Sequence, residues 1–64
     1  MSYEVHVDKG QGLYIVLEKL GRNFKKAAHR FSELMEAAEI GVRMRFVKKG
    51  LFYESVLLEK LKRG

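Results

Sequence analysis

Gly12-Leu13-Tyr14-Ile15-Val16-Leu17-Glu18-Lys19-Leu20-Gly21-Arg22 is the stretch on which the fold turns. Read as a strand, its Tyr14-Ile15-Val16 cluster holds the aromatic and β-branched residues that suit a pleated, half-buried surface. Leu13, Ile15 and Leu17 then face inward beside Val5 and Val7 of a preceding strand. Read as a helix, the stretch opens a heptad series: Leu13, Leu17, Leu20, Phe24, Ala27, Phe31, Leu34 and Ala38. One helix over residues 12–39 would use every member of it. Gly21 opposes that helix, because an interior glycine costs about 1 kcal/mol. Asn23 opposes it too, as a good N-cap for a separate helix beginning at Phe24.

The end of the chain repeats this stretch. Gly50-Leu51-Phe52 leads into Val56-Leu57-Leu58-Glu59-Lys60-Leu61-Lys62-Arg63, as Gly12-Leu13-Tyr14 leads into Ile15-Val16-Leu17-Glu18-Lys19-Leu20-Gly21-Arg22. Each version follows a short β-like run, a lysine and a glycine. Tyr3-Glu4-Val5-His6-Val7 alternates apolar with polar residues and reads as a half-buried strand. Val42 to Val47 alternates too, with Val42, Met44 and Phe46 on one side and Arg43 and Arg45 on the other. Asp8 to Gly12 and Lys48-Lys49-Gly50 are the two hairpin connections. Leu51 to Leu58 returns as the last strand, and its three additional residues call for a bulge or a register adjustment. Glu59 to Gly64 is a basic tail, either a helical turn or a frayed end.

Between the hairpins, residues 24–39 are helical on either reading. Phe24, Ala27, Ala28, Phe31, Leu34, Met35 and Ala38 form one apolar stripe, and Gly41 suits the left-handed position beyond the helix end. The expected fold is α+β: a small antiparallel sheet with one helix packed on one face, in ββαββ order. The alternative is βαββ with the long helix over 12–39. Both leave the second face of the sheet without a cover.

At 64 residues the chain is a single domain spanning 1–64, too small for a second core. Small domains gain stability from disulfides, a metal or association. Cysteine is absent and only two histidines occur, so self-association into a homodimer or larger oligomer is the expected device. Nothing at the N-terminus reads as a signal peptide, and no apolar run approaches the ~20 residues of a membrane span. A soluble, cytoplasmic protein is expected, with no membrane partner.

No nucleophilic triad is legible, so no enzyme is expected and no cofactor or metal is implied. Ser2, Ser32 and Ser55 lack the strained turn and the base that activate a nucleophile. His29 with Ser32 or Glu33 reads as ordinary neighbours on one helix face. Glu4, His6 and Asp8 alternate on one strand face, the pattern of a polar surface more than of a metal cluster. Lys9-Gly10-Gln11-Gly12 lacks the spacing of a phosphate-binding loop.

The charge is more informative: 13 basic against 8 acidic residues give +5 at pH 7, which favours anionic partners. Arg22, Lys25, Lys26 and Arg30 gather at the helix start, where the macrodipole is already positive, and Glu33, Glu36 and Glu39 gather at its end. Arg43, Arg45, Lys48 and Lys49 form a second basic group. On the uncovered face, Arg43 and Arg45 beside Tyr14 and Phe52 can stack on unpaired bases while the lysines meet phosphates. The expected function is therefore a small, basic, non-enzymatic, dimeric nucleic-acid-binding module, of DNA or RNA. The alternative is a protein-interaction or assembly module, a small regulator or inhibitor whose open sheet face or edge binds an acidic protein.

Overall fold

The computed structural model describes residues 1–64 and contains four strands and one helix in ββαββ order: β1 Ser2–Asp8, β2 Tyr14–Gly21, α1 Phe24–Ala37, β3 Arg43–Lys49 and β4 Glu54–Leu61. The strands form one antiparallel sheet in the order β2-β1-β3-β4. The two N-terminal strands of the hairpins thus pair at its centre, and the returning strands form its edges.

Residues 14–21 are strand, so the long helix over 12–39 and the βαββ order are excluded. The β-branched cluster and Gly21 outweigh the heptad spacing. Gly21 sits at φ 79°, a conformation that favours glycine and ends the strand sharply. Asn23 caps the helix as expected, its side chain accepting the Lys26 N–H at 3.0 Å. The helix stops earlier than expected, with Ala38 as its C-cap. Gly41 therefore serves not the helix end but the following turn, closed by Val42 N–H donating to the Glu39 carbonyl at 3.1 Å.

The helix has no acid in its first turn and no base in its last, so its own charges oppose the macrodipole. Tertiary structure supplies the missing cation: Lys62 Nζ donates to the Glu36 carbonyl at 2.8 Å. The same residue pairs by its backbone with Gly41 and Val42. Residues 59–61 thus continue β4 and Lys62 is anchored beyond it, instead of fraying or forming a helical turn.

Tyr3, Val5, Ala27, Phe31, Met44 and Phe46 form the core between helix and sheet. Phe46 is its centre, with ring centroids 5.4 Å from Phe31, 5.5 Å from Tyr3 and 6.0 Å from Phe24. Leu13, Ile15 and Leu17 do not join it and stay exposed. Leu13 lies in the turn. Leu17 is an extra residue in β2, bulged between Glu18, opposite Val5, and Val16, opposite His6. Leu20 forms a second bulge in β2, and Leu57 forms one in β4. The helix packs chiefly on β1, β2 and β3, leaving β4 beside it.

Candidate nucleic-acid interface

The face away from the helix is open, and β-strand alternation puts Arg43, Arg45 and Val47 of β3 on it. Their neighbours there are Glu4 and His6 of β1, Val16 of β2, and Val56 and Glu59 of β4. The centre of this face is nonetheless sealed by its own side chains. Val47 is 0% exposed, Glu4 6% and His6 9%. The two polar groups satisfy each other, Glu4 Oε1 accepting from His6 Nε2 at 2.9 Å. Asp8 does not join them, because its carboxylate accepts the Gly10 N–H at 2.7 Å and shapes the turn.

Arg43 and Arg45 are both engaged with one residue that the sequence did not single out, Glu59. Arg45 Nε donates to Glu59 Oε1 at 2.6 Å, and Arg43 Nη1 to Glu59 Oε2 at 3.1 Å. These hydrogen bonds, from Arg45 first and then Arg43, hold the Glu59 carboxyl below its ordinary value. The Glu59 bond likewise raises Arg45. The Arg45 guanidinium also reaches across β1 to lie 3.7 Å over the Tyr14 ring, a cation–π contact. Arg45 thus lies beside Tyr14 as an internal clamp, whereas Arg43 meets Glu59.

Phe52 is not part of that group. Tyr14 pairs with Asp8 at one end of β1, whereas Phe52 follows Lys49, which pairs with Ser2 at the other end. Six residue steps of strand separate those ends, roughly 20 Å. Phe52 is 93% exposed in the β3–β4 turn.

The remaining basic residues regroup in space. Gly21 and Lys48 both pair with Tyr3, and Lys49 pairs with Ser2. Phe24 opens the helix with its ring 5.6 Å from Tyr3. Arg22, Lys25 and Lys26 therefore stand at the same end of the molecule as Lys48, Lys49 and Phe52, although the two sets lie far apart in the chain. Arg22, Lys25, Lys26 and Lys48 have no side-chain partner within the chain, while Lys49 meets Glu54 at 3.6 Å. Phe24, Leu51 and Tyr53 are exposed there as well. Two exposed aromatics, Phe24 and Tyr53, were thus missed in the sequence, the first because its helical spacing marks it as core.

Arg30 leaves this group. It forms a two-pronged bond to Glu18 on β2, at 2.8 and 2.9 Å, which fastens the helix to the sheet. That bond from Arg30 lowers the Glu18 carboxyl, and the Glu18 bond raises Arg30. His29 and Glu33 approach to 3.9 Å along the helix, as their spacing implied. No helix is long and apolar enough to cross a membrane. No protein-family model matches the chain, and comparison with curated proteins and with solved structures finds nothing similar to it.

Proposed function

We propose that this chain is a small nucleic-acid-binding module whose phosphate contacts come from Arg22, Lys25, Lys26, Lys48 and Lys49. The observation that supports this most is their convergence from two distant segments, residues 22–26 and 48–49, on one end of the fold, four of them without an internal counter-charge. Cations held by no carboxylate are free to replace the counterions of a phosphate backbone. Phe52, Tyr53 and Phe24 add exposed rings beside them, and base–aromatic stacking is worth about 1–3 kcal/mol per base. The open-face group of Arg43, Arg45 and Tyr14 serves the fold first, because Glu59 already engages both arginines and Arg45 lies over the Tyr14 ring.

The test is a salt titration with single-stranded RNA, single-stranded DNA and duplex probes. Each phosphate contacted contributes about 0.7 (single strand) to 0.9 (duplex) to the slope of log affinity against log salt. Reversing both Lys25 and Lys26 to Glu is expected to weaken binding at least tenfold and to reduce the slope by about two phosphates' worth. The reading fails if no probe binds at low salt. It also fails if an acidic polypeptide binds where nucleic acid does not. Loss of binding on Arg43→Ala and Arg45→Ala, with the Lys25/Lys26 variant unaffected, would move the site to the open face.

A further inference from the structure

Both edge strands carry exposed apolar residues: only 9 of the 64 residues are buried, and Val56, Leu57 and Leu58 of β4 are as exposed as Ile15, Val16 and Leu17 of β2. Beside β4 the helix leaves an open groove of about 290 Å³, lined by Phe24, Ala28, Phe31, Phe46, Leu57 and Leu58 with Ser32. A folded monomer of this mass is expected to expose about 4,200 Å², whereas this chain exposes 4755 Å². The excess, about 550 Å² per copy, comes to roughly 1,100 Å² for a pair, above the floor of about 1,000 Å² for a biological interface and at the weak end of the range.

Two features place that excess at β4 and not at β2, the other edge. β2 lies under the helix, carries two bulges and is fastened by Glu18 to Arg30. An edge covered by a helix and fastened to it is less available to another chain. β4 has one bulge and lies beside the helix, with its apolar centre next to the groove. Charge points the same way. β4 holds Glu54, Glu59 and Lys60, one net negative charge in a chain of +5, so two copies repel each other least along this edge.

From this we infer that a second copy of the chain covers β4, edge to edge and antiparallel, making one eight-stranded sheet across a two-fold axis. An axis between Leu57 and Leu58 sets Val56 against Glu59 and Glu54 against Leu61, all on the open face, and Ser55 against Lys60 on the helix face. Leu57 then meets Leu58 at the centre, and the two grooves flank the joint. This inference is independent of nucleic-acid binding, since the two-fold carries the two basic ends to opposite ends of the sheet.

Sedimentation over a range of concentrations tests it. The wild-type chain is expected at twice 7.4 kDa, and Leu57→Lys is expected to raise the dissociation constant at least tenfold. Ile15→Lys, on the β2 edge, is expected to leave it unchanged. Amide exchange on the wild-type chain tests the same contact without a variant: amides along β4 gain protection as concentration rises, and those of β2 do not. A monomer at several hundred micromolar, concentration-dependent protection at β2, or disruption by Ile15→Lys but not Leu57→Lys overturns the inference.

Discussion

The two hairpins are near-copies in sequence, yet their matching glutamates face opposite sides of the sheet. Val5 and Phe46 occupy equivalent places in β1 and β3, and both face the helix. Glu18 and Glu59 occupy equivalent places in the echo. Glu18 stands opposite Val5 and reaches the helix, whereas Glu59 stands opposite Arg45 on the open face. The inversion begins at the turns. Residues 9–13 connect the first pair of strands and residues 50–53 the second, one residue fewer. Each returning strand then has one bulge before its glutamate, so the offset is never corrected. Side chains alternate with a period of two, and a single residue of register therefore exchanges the faces. One glutamate consequently fastens the helix through Arg30, and the other binds the arginines of the open face.

The comparison can be broken most severely at the ring both hairpins share. Phe46→Ala removes the centre of the aromatic cluster and is expected to cost about 3–5 kcal/mol. Domains of this size have a total of roughly 3–10 kcal/mol, so urea denaturation should find the variant largely or wholly unfolded. The turns come next. The first bends through positive φ at Gly10, Gln11 and Gly12, and the second does not. Gly12→Ala is expected to destabilise by about 1–2 kcal/mol, the left-handed penalty of a side chain. An alanine at Gly50 would only push aside the exposed Tyr53 ring, and is expected to stay within about 0.5 kcal/mol of wild type. Equal losses in chemical denaturation would contradict this difference between the turns.

Asn23→Ala probes the junction through which the first hairpin passes into the helix, and should cost about 1 kcal/mol by the same measurement. The glutamates give the smallest and most specific contrast. Both carboxyls are lowered by their arginines, so their contribution is complete above the ordinary carboxylate value and is lost as pH falls through the folded one. Glu18→Gln is expected to lower Tm modestly at neutral pH, with the gap to wild type closing on acidification below about 4.5. Glu59→Gln should follow the same pH course. It should also release Arg43 and Arg45 to the open face, which Arg side-chain NMR would register as loss of the charge-assisted bonds. A gap that widens with acid would refute the assignment of these pairs.

The elements were legible because their signals are local. Tyr14-Ile15-Val16 outweighed a complete heptad series, Asn23 capped where its side chain can reach the first free amides, and Val42 to Phe46 alternated without interruption. The candidate site was legible in residue type and less so in grouping. Arg43 and Arg45 do face away from the helix, but Glu59, their counter-charge, was not marked by any neighbouring residue. Phe52 was placed with Tyr14 because both follow a glycine and a leucine, and the strand pairings put them at opposite ends. Arg30 was grouped with Lys25 and Lys26 by proximity in the chain, and Glu18 drew it away.

Residue types and their short-range spacing were enough to specify two hairpins, one capped helix and a basic surface, since turn, cap and strand preferences act within a few residues. Which side each β2 and β4 side chain occupies, and which cations remain unpaired, was settled by pairing between distant segments. Bulges at Leu17, Leu20 and Leu57 exchange the faces one residue at a time, and their positions depend on how the helix and the neighbouring strand pack.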